Sequence, residues 1–267
     1  MNVEHLTGVL GARISGLDLT TLNEQQAASL RAAICQHQVV VIPGQALSPA
    51  QQTAFSHQLG PFSPVPFVEP LAGFPEVISV VKEAFEPDAF NFGGVWHSDF
   101  SFLESPPAFT ILQAIDVPTV GGDTVWASMT AAWEALTPDQ QERFTEMTAV
   151  HSASASYSPA QQALHSGLSS MDIRTSTDAE DTQEHPEPGE QTLFFNGTYV
   201  RSLRGSDLDS PAAVEKTLHW LHQWTTHVRF TFRHRWRNGD VVIWDNRSTQ
   251  HVALNDYPGQ RRQLHRT

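Results

Sequence analysis

A single cysteine, Cys35, stands among 267 residues, so no internal disulfide can form. It lies in an amphipathic stretch and reads as a small core residue. Basic residues are also scarce. Lys and Arg number 16 against 29 Asp and Glu, for a net charge of −13. That balance argues against nucleic acid and anionic membranes as partners. No apolar run is long enough to cross a bilayer. Residues 1–10 lack the basic stretch and apolar run of a secretory signal, so a cytoplasmic location is expected. Internal repeats of useful length are missing too. A hydrophobic content of 40% in a chain of this size suits one globular domain over residues 1–267.

What is present falls into two parts. Residues 6–19 carry apolar residues and glycines that suit a short strand and turn. Asn23 then opens a helical pattern with Ala27, Leu30, Ile34 and Cys35 near one face. Val39-Val40-Val41-Ile42, closed by Pro43-Gly44, reads as a buried strand, and Ser48-Pro49 starts a second helix ending near Gly60-Pro61. Beyond residue 61 short strands dominate, at Val77–Val81, Phe109–Ile115, Thr124–Ala127, Leu193–Phe195, Val228–Trp236, Val241–Trp244 and Arg262–Arg266. Helices interrupt them at about 129–149 and 211–226. This is a mainly β pattern with flanking helices, as in an antiparallel sandwich or barrel. The clearest local signal is Asn238-Gly239 between alternating runs, which predicts a hairpin. Residues 151–190 are rich in Ser, Thr, Ala, Asp and Glu and lack a sustained apolar period. A long irregular stretch of that kind reads as a lid that orders on ligand binding.

The chemistry-bearing residues are split. His97-Ser98-Asp99 lies in Phe92-Gly93-Gly94-Val95-Trp96-His97-Ser98-Asp99, and His251 follows Asp245-Asn246-Arg247-Ser248-Thr249-Gln250. In extended chain, residues i and i+2 point the same way, so His97 and Asp99 can reach one metal. Two imidazoles and a carboxylate on one face, with open positions opposite, suit non-haem Fe(II) oxygenases. A second His-x-acid match, His185-x-Glu187, lies between prolines and reads as a solvated loop. Near the C-terminus, Arg262 and Arg266 share one face of a strand. A planar guanidinium fork suits carboxylates, so the pair can bind anions beside a metal.

Taken in order, Leu6-Thr7-Gly8-Val9-Leu10-Gly11-Ala12, Trp96-His97-Ser98-Asp99, Gly121-Gly122-Asp123-Thr124, Trp244-Asp245-Asn246-Arg247 with Thr249-Gln250-His251, and Arg261-Arg262 with His265-Arg266 form a specific set. On these motifs nearly the whole chain resembles the taurine dioxygenase and 2,4-dichlorophenoxyacetate dioxygenase family of Fe(II)/2-oxoglutarate enzymes. Its N-terminal motif and Pro64-Val65-Pro66 look nearest to the (R)-dichlorprop dioxygenase branch. The resemblance implies a double-stranded β-helix, a cupin-like jelly-roll core with helices outside. It implies Fe(II) held by His97, Asp99 and His251, with 2-oxoglutarate and O2 as co-substrates. Thr124 and Arg262 match the positions that hold 2-oxoglutarate, and Arg266 matches the one that pairs with the substrate's acidic group. Phe100, Tyr157 and Tyr199 fall at substrate-pocket positions. The implied reaction hydroxylates a C–H bond while 2-oxoglutarate becomes succinate and CO2, with collapse of the product where the carbon bears a heteroatom. The resemblance also implies a homo-oligomer, a dimer or tetramer.

The taurine-reading polar residues do not carry over. Val65 and Val68 stand where taurine enzymes have a histidine and a tyrosine, and Gly93 stands near a family asparagine. An apolar pocket with one anion anchor suits a larger carboxylate, sulfonate or sulfate ester, an aryloxyalkanoate among them. Two other readings stay open on the residues: a zinc hydrolase using the same triad, and a catalytically silent jelly-roll that binds a small anion.

Overall fold

The computed structural model describes residues 1–63, 65, 68–86, 92–153, 176–180 and 182–267. The first helix, Glu24–His37, begins at the expected cap. Asn23 Oδ1 accepts the Gln26 N–H at 2.9 Å, and the Gln26 side chain accepts the Asn23 N–H at 3.0 Å. Two of the orphan donors at the helix start are satisfied this way. Ser48 and Gln51 repeat the arrangement for the helix Pro49–Leu59, where Pro49 occupies the first turn and has no N–H to satisfy.

Seven strands form the main sheet, in the order Asn2–His5, Ala12–Ser15, Val39–Ile42, Val241–Asp245, Phe109–Asp116, Arg262–Arg266 and Ile78–Lys82. Alternation along its central strands assigns the two faces. Val40, Ile42, Val241 and Ile243 pack with Leu30, Ile34, Phe55 and Leu59 of the two helices. Val39, Val41, Val242 and Trp244 point the other way, onto Trp126 and Phe232 of a three-stranded sheet. That smaller sheet runs Thr231–His234, Thr124–Ser128, Thr249–Ala253. The layers are therefore helices, large sheet, small sheet, and the strands between them are buried on both faces. A further three-stranded sheet (Val200–Arg204, Thr148–Ser152, Ser176–Glu180) packs with the helices Met129–Glu134, Pro138–Thr145 and Pro211–Thr225 around Phe144, Leu193 and Leu221. Among the described residues no helix is long and apolar enough to cross a membrane.

Three expectations are corrected. The predicted hairpin does not form. Thr231–His234 pairs with Thr124–Ser128, whereas Val241–Asp245 pairs with Val39–Ile42 and Phe109–Asp116. Asn238-Gly239 is a turn, but it carries the chain from the small sheet to the large one. Val241–Asp245 is buried along its whole length, and both of its edges are taken by those two strands, which leaves none for Thr231–His234. The single helix expected over 129–149 is two helices and a strand. Pro138 cannot continue a helix begun before it, and Thr137 caps a new one. The stretch 151–190 is not irregular throughout. Ser176–Glu180 pairs with Thr148–Ser152, and Thr182–Glu184 pairs with Gln191–Leu193. Residues 154–175 of the expected lid lie outside the described residues.

Gly239 has φ +84°, and a Cβ there would sit 2.8 Å from the Gln45 carbonyl oxygen. Gly239→Ala is expected to destabilise the fold by at least about 1–2 kcal/mol through left-handed strain, before the clash is counted. Denaturant unfolding at equilibrium measures it. A midpoint equal to wild type would show that this turn does not constrain the passage between sheets.

Candidate metal and anion site

His97 and His251 meet because their backbones meet. His97 N–H donates to the His251 carbonyl at 3.0 Å, and His251 N–H returns to the His97 carbonyl at 2.7 Å. Residues bridged directly across an antiparallel pair project to one face, and the two ring centroids are 4.2 Å apart. Asp99, two residues beyond His97, joins them. One ligand atom from each of His97, Asp99 and His251 lies within 4.8 Å of the others, and all three residues are buried. His97 Nδ1 sits 2.7 Å from the Val95 carbonyl, which can only accept, so Nδ1 donates there and Nε2 is the ring nitrogen turned to the site. That Nε2 is 3.6 Å from Asp99 Oδ1.

The protonation states suit a cation. Burial, reinforced by the His97 and Arg266 charges and opposed by Asp99, pushes the His251 imidazole down to about 3. Burial also works against ionising Asp99. The Arg266 guanidinium and the two imidazoles overcome it and hold that carboxyl far below the usual range. At neutral pH the site therefore offers a neutral His251 and a carboxylate, as metal ligation requires.

Arg262 and Arg266 emerge from one face of Arg262–Arg266, a strand paired on both sides, and both are buried. Arg262 lies over the Trp236 ring at 5.8 Å. Among the described residues nothing hydrogen-bonds its Nε or Nη2. A buried guanidinium with two unpaired donors is a deficit that an anion would fill. Gly122, at φ +70°, lets the backbone pass close to it; a Cβ there would sit 3.2 Å from Arg262 Cδ. Thr124 is buried beside this arginine, and its Oγ1 accepts the Trp236 indole N–H at 3.0 Å. Arg266 Nη2 lies 3.2 Å from Asp99 Oδ2 and its guanidinium rests over Phe100, 4.8 Å from the ring centroid. Phe100 has φ +50°, a strained conformation for a bulky residue, which places its ring under the arginine. Tyr199 meets His97 edge-on at 6.4 Å and packs with Phe100, Phe102 and Val65 in an apolar cluster. Tyr157 lies outside the described residues. One cavity is bordered by His97, Asp99, His251, Thr124, Arg262 and Arg266 together.

His185 is not in a solvated loop. It is buried, and its Nε2 is 2.8 Å from Asp245 Oδ2. Arg247 lies against the same carboxylate at 2.5 Å and against Glu187 at 2.8 Å, and Glu187 also takes Arg31. Cys35, His185 and Asp245 form a second grouping of ligand atoms, but the Arg247 guanidinium already fills the Asp245 oxygens. The Cys35 thiol is pushed up to about 12 by burial and by Asp245 and Glu187, so it stays protonated and inert. Thr110 and Asn246, given no role from sequence, both touch this region: Thr110 donates to Asp99 and Asn246 donates to Thr110. The one signal for Thr110 was a polar residue inside the apolar run Phe109–Ile115.

Comparison with known proteins is consistent across the chain. A family model described as "Taurine catabolism dioxygenase TauD, TfdA family" matches residues 2–267. An alkylsulfatase of Acinetobacter baylyi is 33% identical, with 100% of this chain and 84% of the relative covered. An alpha-ketoglutarate-dependent sulfate ester dioxygenase of Pseudomonas putida is 31% identical, covering 100% and 88%. The crystal structure of a taurine dioxygenase from Burkholderia xenovorans superposes with a TM-score of 0.82 at 30% identity, over 99% of this chain and 89% of the other.

Beside the site, His151 is fully buried, with Nδ1 2.8 Å from Ser101 Oγ. Burial pushes its imidazole down to about 4, against a weaker opposing hydrogen bond at Phe194. Unfolded histidine titrates near 6.5, so between those values only the unfolded chain takes up the proton. This contribution is complete above about pH 6.5 and declines as pH falls, reaching about 2 kcal/mol of lost stability at pH 5. His151→Asn is expected to lose less stability than wild type between pH 7.5 and pH 5. Parallel losses in both proteins would show that His151 does not titrate in this way.

Proposed function

The chain belongs to the taurine catabolism dioxygenase TauD, TfdA family, and from that premise we propose that His97, Asp99 and His251 hold the Fe(II) of a 2-oxoglutarate-dependent dioxygenase. The supporting observation is one cavity that joins a buried two-histidine, one-carboxylate group to a buried arginine lacking a hydrogen-bond partner at two nitrogens. Bound Fe(II) supplies the redox chemistry that couples conversion of 2-oxoglutarate and O2 to succinate and CO2 with hydroxylation of a substrate C–H bond.

The protein's own residues do the positioning. The Arg262 fork takes the distal carboxylate of 2-oxoglutarate through two parallel N–H bonds. Thr124 Oγ1 has one lone pair committed to Trp236, so its hydroxyl proton turns to that carboxylate as well. Arg266, supported by Phe100, binds the substrate's anionic group, and Tyr199, edge-on to His97, stands beside the site as a substrate-pocket residue. Arg262 and Arg266 are both buried, which strengthens both charge pairs. The zinc hydrolase leaves Arg262 and Thr124 without a role, and a silent anion binder has no need of the group formed by His97, Asp99 and His251.

Two of the relatives named above are an alkylsulfatase and a sulfate ester dioxygenase, and we take a sulfate ester with an apolar organic group as the substrate class. Hydroxylation of the carbon bonded to the ester oxygen leaves a product that collapses to a carbonyl compound and sulfate. We read the facing sheets as the double-stranded β-helix of a single domain spanning 1–267. The acidic balance and single cysteine suit a cytoplasmic protein with no nucleic-acid or membrane partner, and the family resemblance supports a homo-oligomer, a dimer or tetramer.

Steady-state kinetics on two variants separate the arginines. Arg262→Ala is expected to raise the 2-oxoglutarate requirement about 30-fold or more, the equivalent of about 2 kcal/mol for losing one side of a buried charge pair. Arg266→Ala is expected to weaken substrate binding while uncoupled succinate formation persists. The reverse pattern would overturn the assignment. A panel of alkyl sulfates, alkylsulfonates and aryloxypropionates, scored by release of sulfate, sulfite or phenol, decides the class; turnover of aryloxypropionates alone would replace the sulfate ester.

A further inference from the structure

Asp99 presents its two oxygens differently. Oδ1 faces His97 Nε2 at 3.6 Å, whereas Oδ2 is held from behind by Thr110 Oγ1 at 2.7 Å and by Arg266 Nη2 at 3.2 Å. The direction of each hydrogen bond behind Asp99 can be derived. The Trp244 indole N–H can only donate, and it reaches Asn246 Oδ1 at 2.9 Å. This fixes the Asn246 amide with its Nδ2 toward Thr110, which receives it at 2.9 Å. Thr110 Oγ1 accepts there, so its one proton is committed to Asp99 Oδ2. The Asp99 N–H also leans toward Asn246 Oδ1, at 3.4 Å. All four residues are buried.

We infer that Thr110, oriented by Asn246 and Trp244, is a positioning residue that keeps Asp99 a one-oxygen ligand. The inference rests on the reading of His97, Asp99 and His251 as the metal site. With Oδ2 occupied by a fixed donor, only Oδ1 turns to the metal, and the position a second carboxylate oxygen would take stays open. Arg266 cannot perform this task alone. It is the residue we assign to the substrate anion, and when it turns to that anion Thr110 is the donor that stays on Oδ2. Its strand supports the fixed placement: Thr110 lies directly opposite Trp244 in the central sheet, and its β-branched side chain has restricted χ1 freedom.

The experiment is metal titration of the full-length protein under anaerobic conditions, with Mn(II) followed by electron paramagnetic resonance and Co(II) by visible absorption. Thr110→Val removes the hydroxyl at nearly constant volume. It is expected to weaken Mn(II) binding about 10- to 100-fold, the usual effect of losing a partner of a metal ligand. It is also expected to change the Co(II) ligand-field bands as the carboxylate takes up its second oxygen. Thr110→Ser, which restores a donor, is expected to recover the wild-type spectrum and most of the affinity. Thermal unfolding of each metal-free variant accompanies the titration, and Thr110→Ala replaces Thr110→Val if the latter does not fold. A variant without the hydroxyl that is less stable yet binds Mn(II) with wild-type affinity and an unchanged Co(II) spectrum would overturn the inference, because a packing role predicts that outcome. His97→Ala is the control. If it retains wild-type Mn(II) affinity, the metal-site reading itself fails, independently of Thr110.

Discussion

The organisation of this protein follows from charge buried between two sheets. Asp99, Arg262 and Arg266 are each almost wholly withdrawn from water, and a withdrawn charge is costly unless something answers it. Asp99 and Arg266 partly answer one another. Arg262 does not have that relief. Its pKa is lowered by burial, with smaller opposition from Tyr257 and Asp123, and two of its nitrogens lack hydrogen-bond partners. Such a group invites an anion, and the cavity it lines is also bordered by His97, Asp99 and His251. On the function proposed above, this electrostatic deficit is what would recruit a dicarboxylate beside a metal.

The fold holds that deficit open by stiffness. The large sheet is buried on both faces, helices on one and the small sheet on the other. Strand Arg262–Arg266 is paired on both sides, so neither arginine can move its backbone to reach solvent. The two imidazoles are tied by a reciprocal pair of backbone hydrogen bonds, not by side-chain contacts alone. Trp126 and Trp244 flank His251 with ring centroids 6.4 and 4.6 Å away. On the far side, the Arg247, Asp245, His185 and Glu187 network closes the edge of the same layer. His251 is thus held from several directions, as a proposed metal ligand beside open coordination positions would need to be.

Much of this was legible in sequence wherever the signal was local. The caps at Asn23 and Ser48 and the all-apolar strand Val39–Ile42 formed as read, and Arg262–Arg266 kept its bounds. The i, i+2 spacing of His97 and Asp99 also brought them together. Failures came where partner choice was decided at long range. Asn238-Gly239 marks a turn correctly, but no local rule says that the strands on either side join different sheets. The prolines around His185 suggested exposure, while its partner Asp245 lies 60 residues away. Thr110 carried only the weak mark of polarity within an apolar strand, and its meaning depends on Asn246, 136 residues further on.

The most direct test of the central claim is anaerobic optical titration of the metal-free protein with Fe(II) and then 2-oxoglutarate, repeated with Arg262→Ala. The expected result is a weak visible charge-transfer band that appears only when both are present, and that requires far more 2-oxoglutarate in the variant. Iron binding without such a band, or a band equally easy to form without Arg262, would contradict the account of a metal triad coupled to a waiting cation.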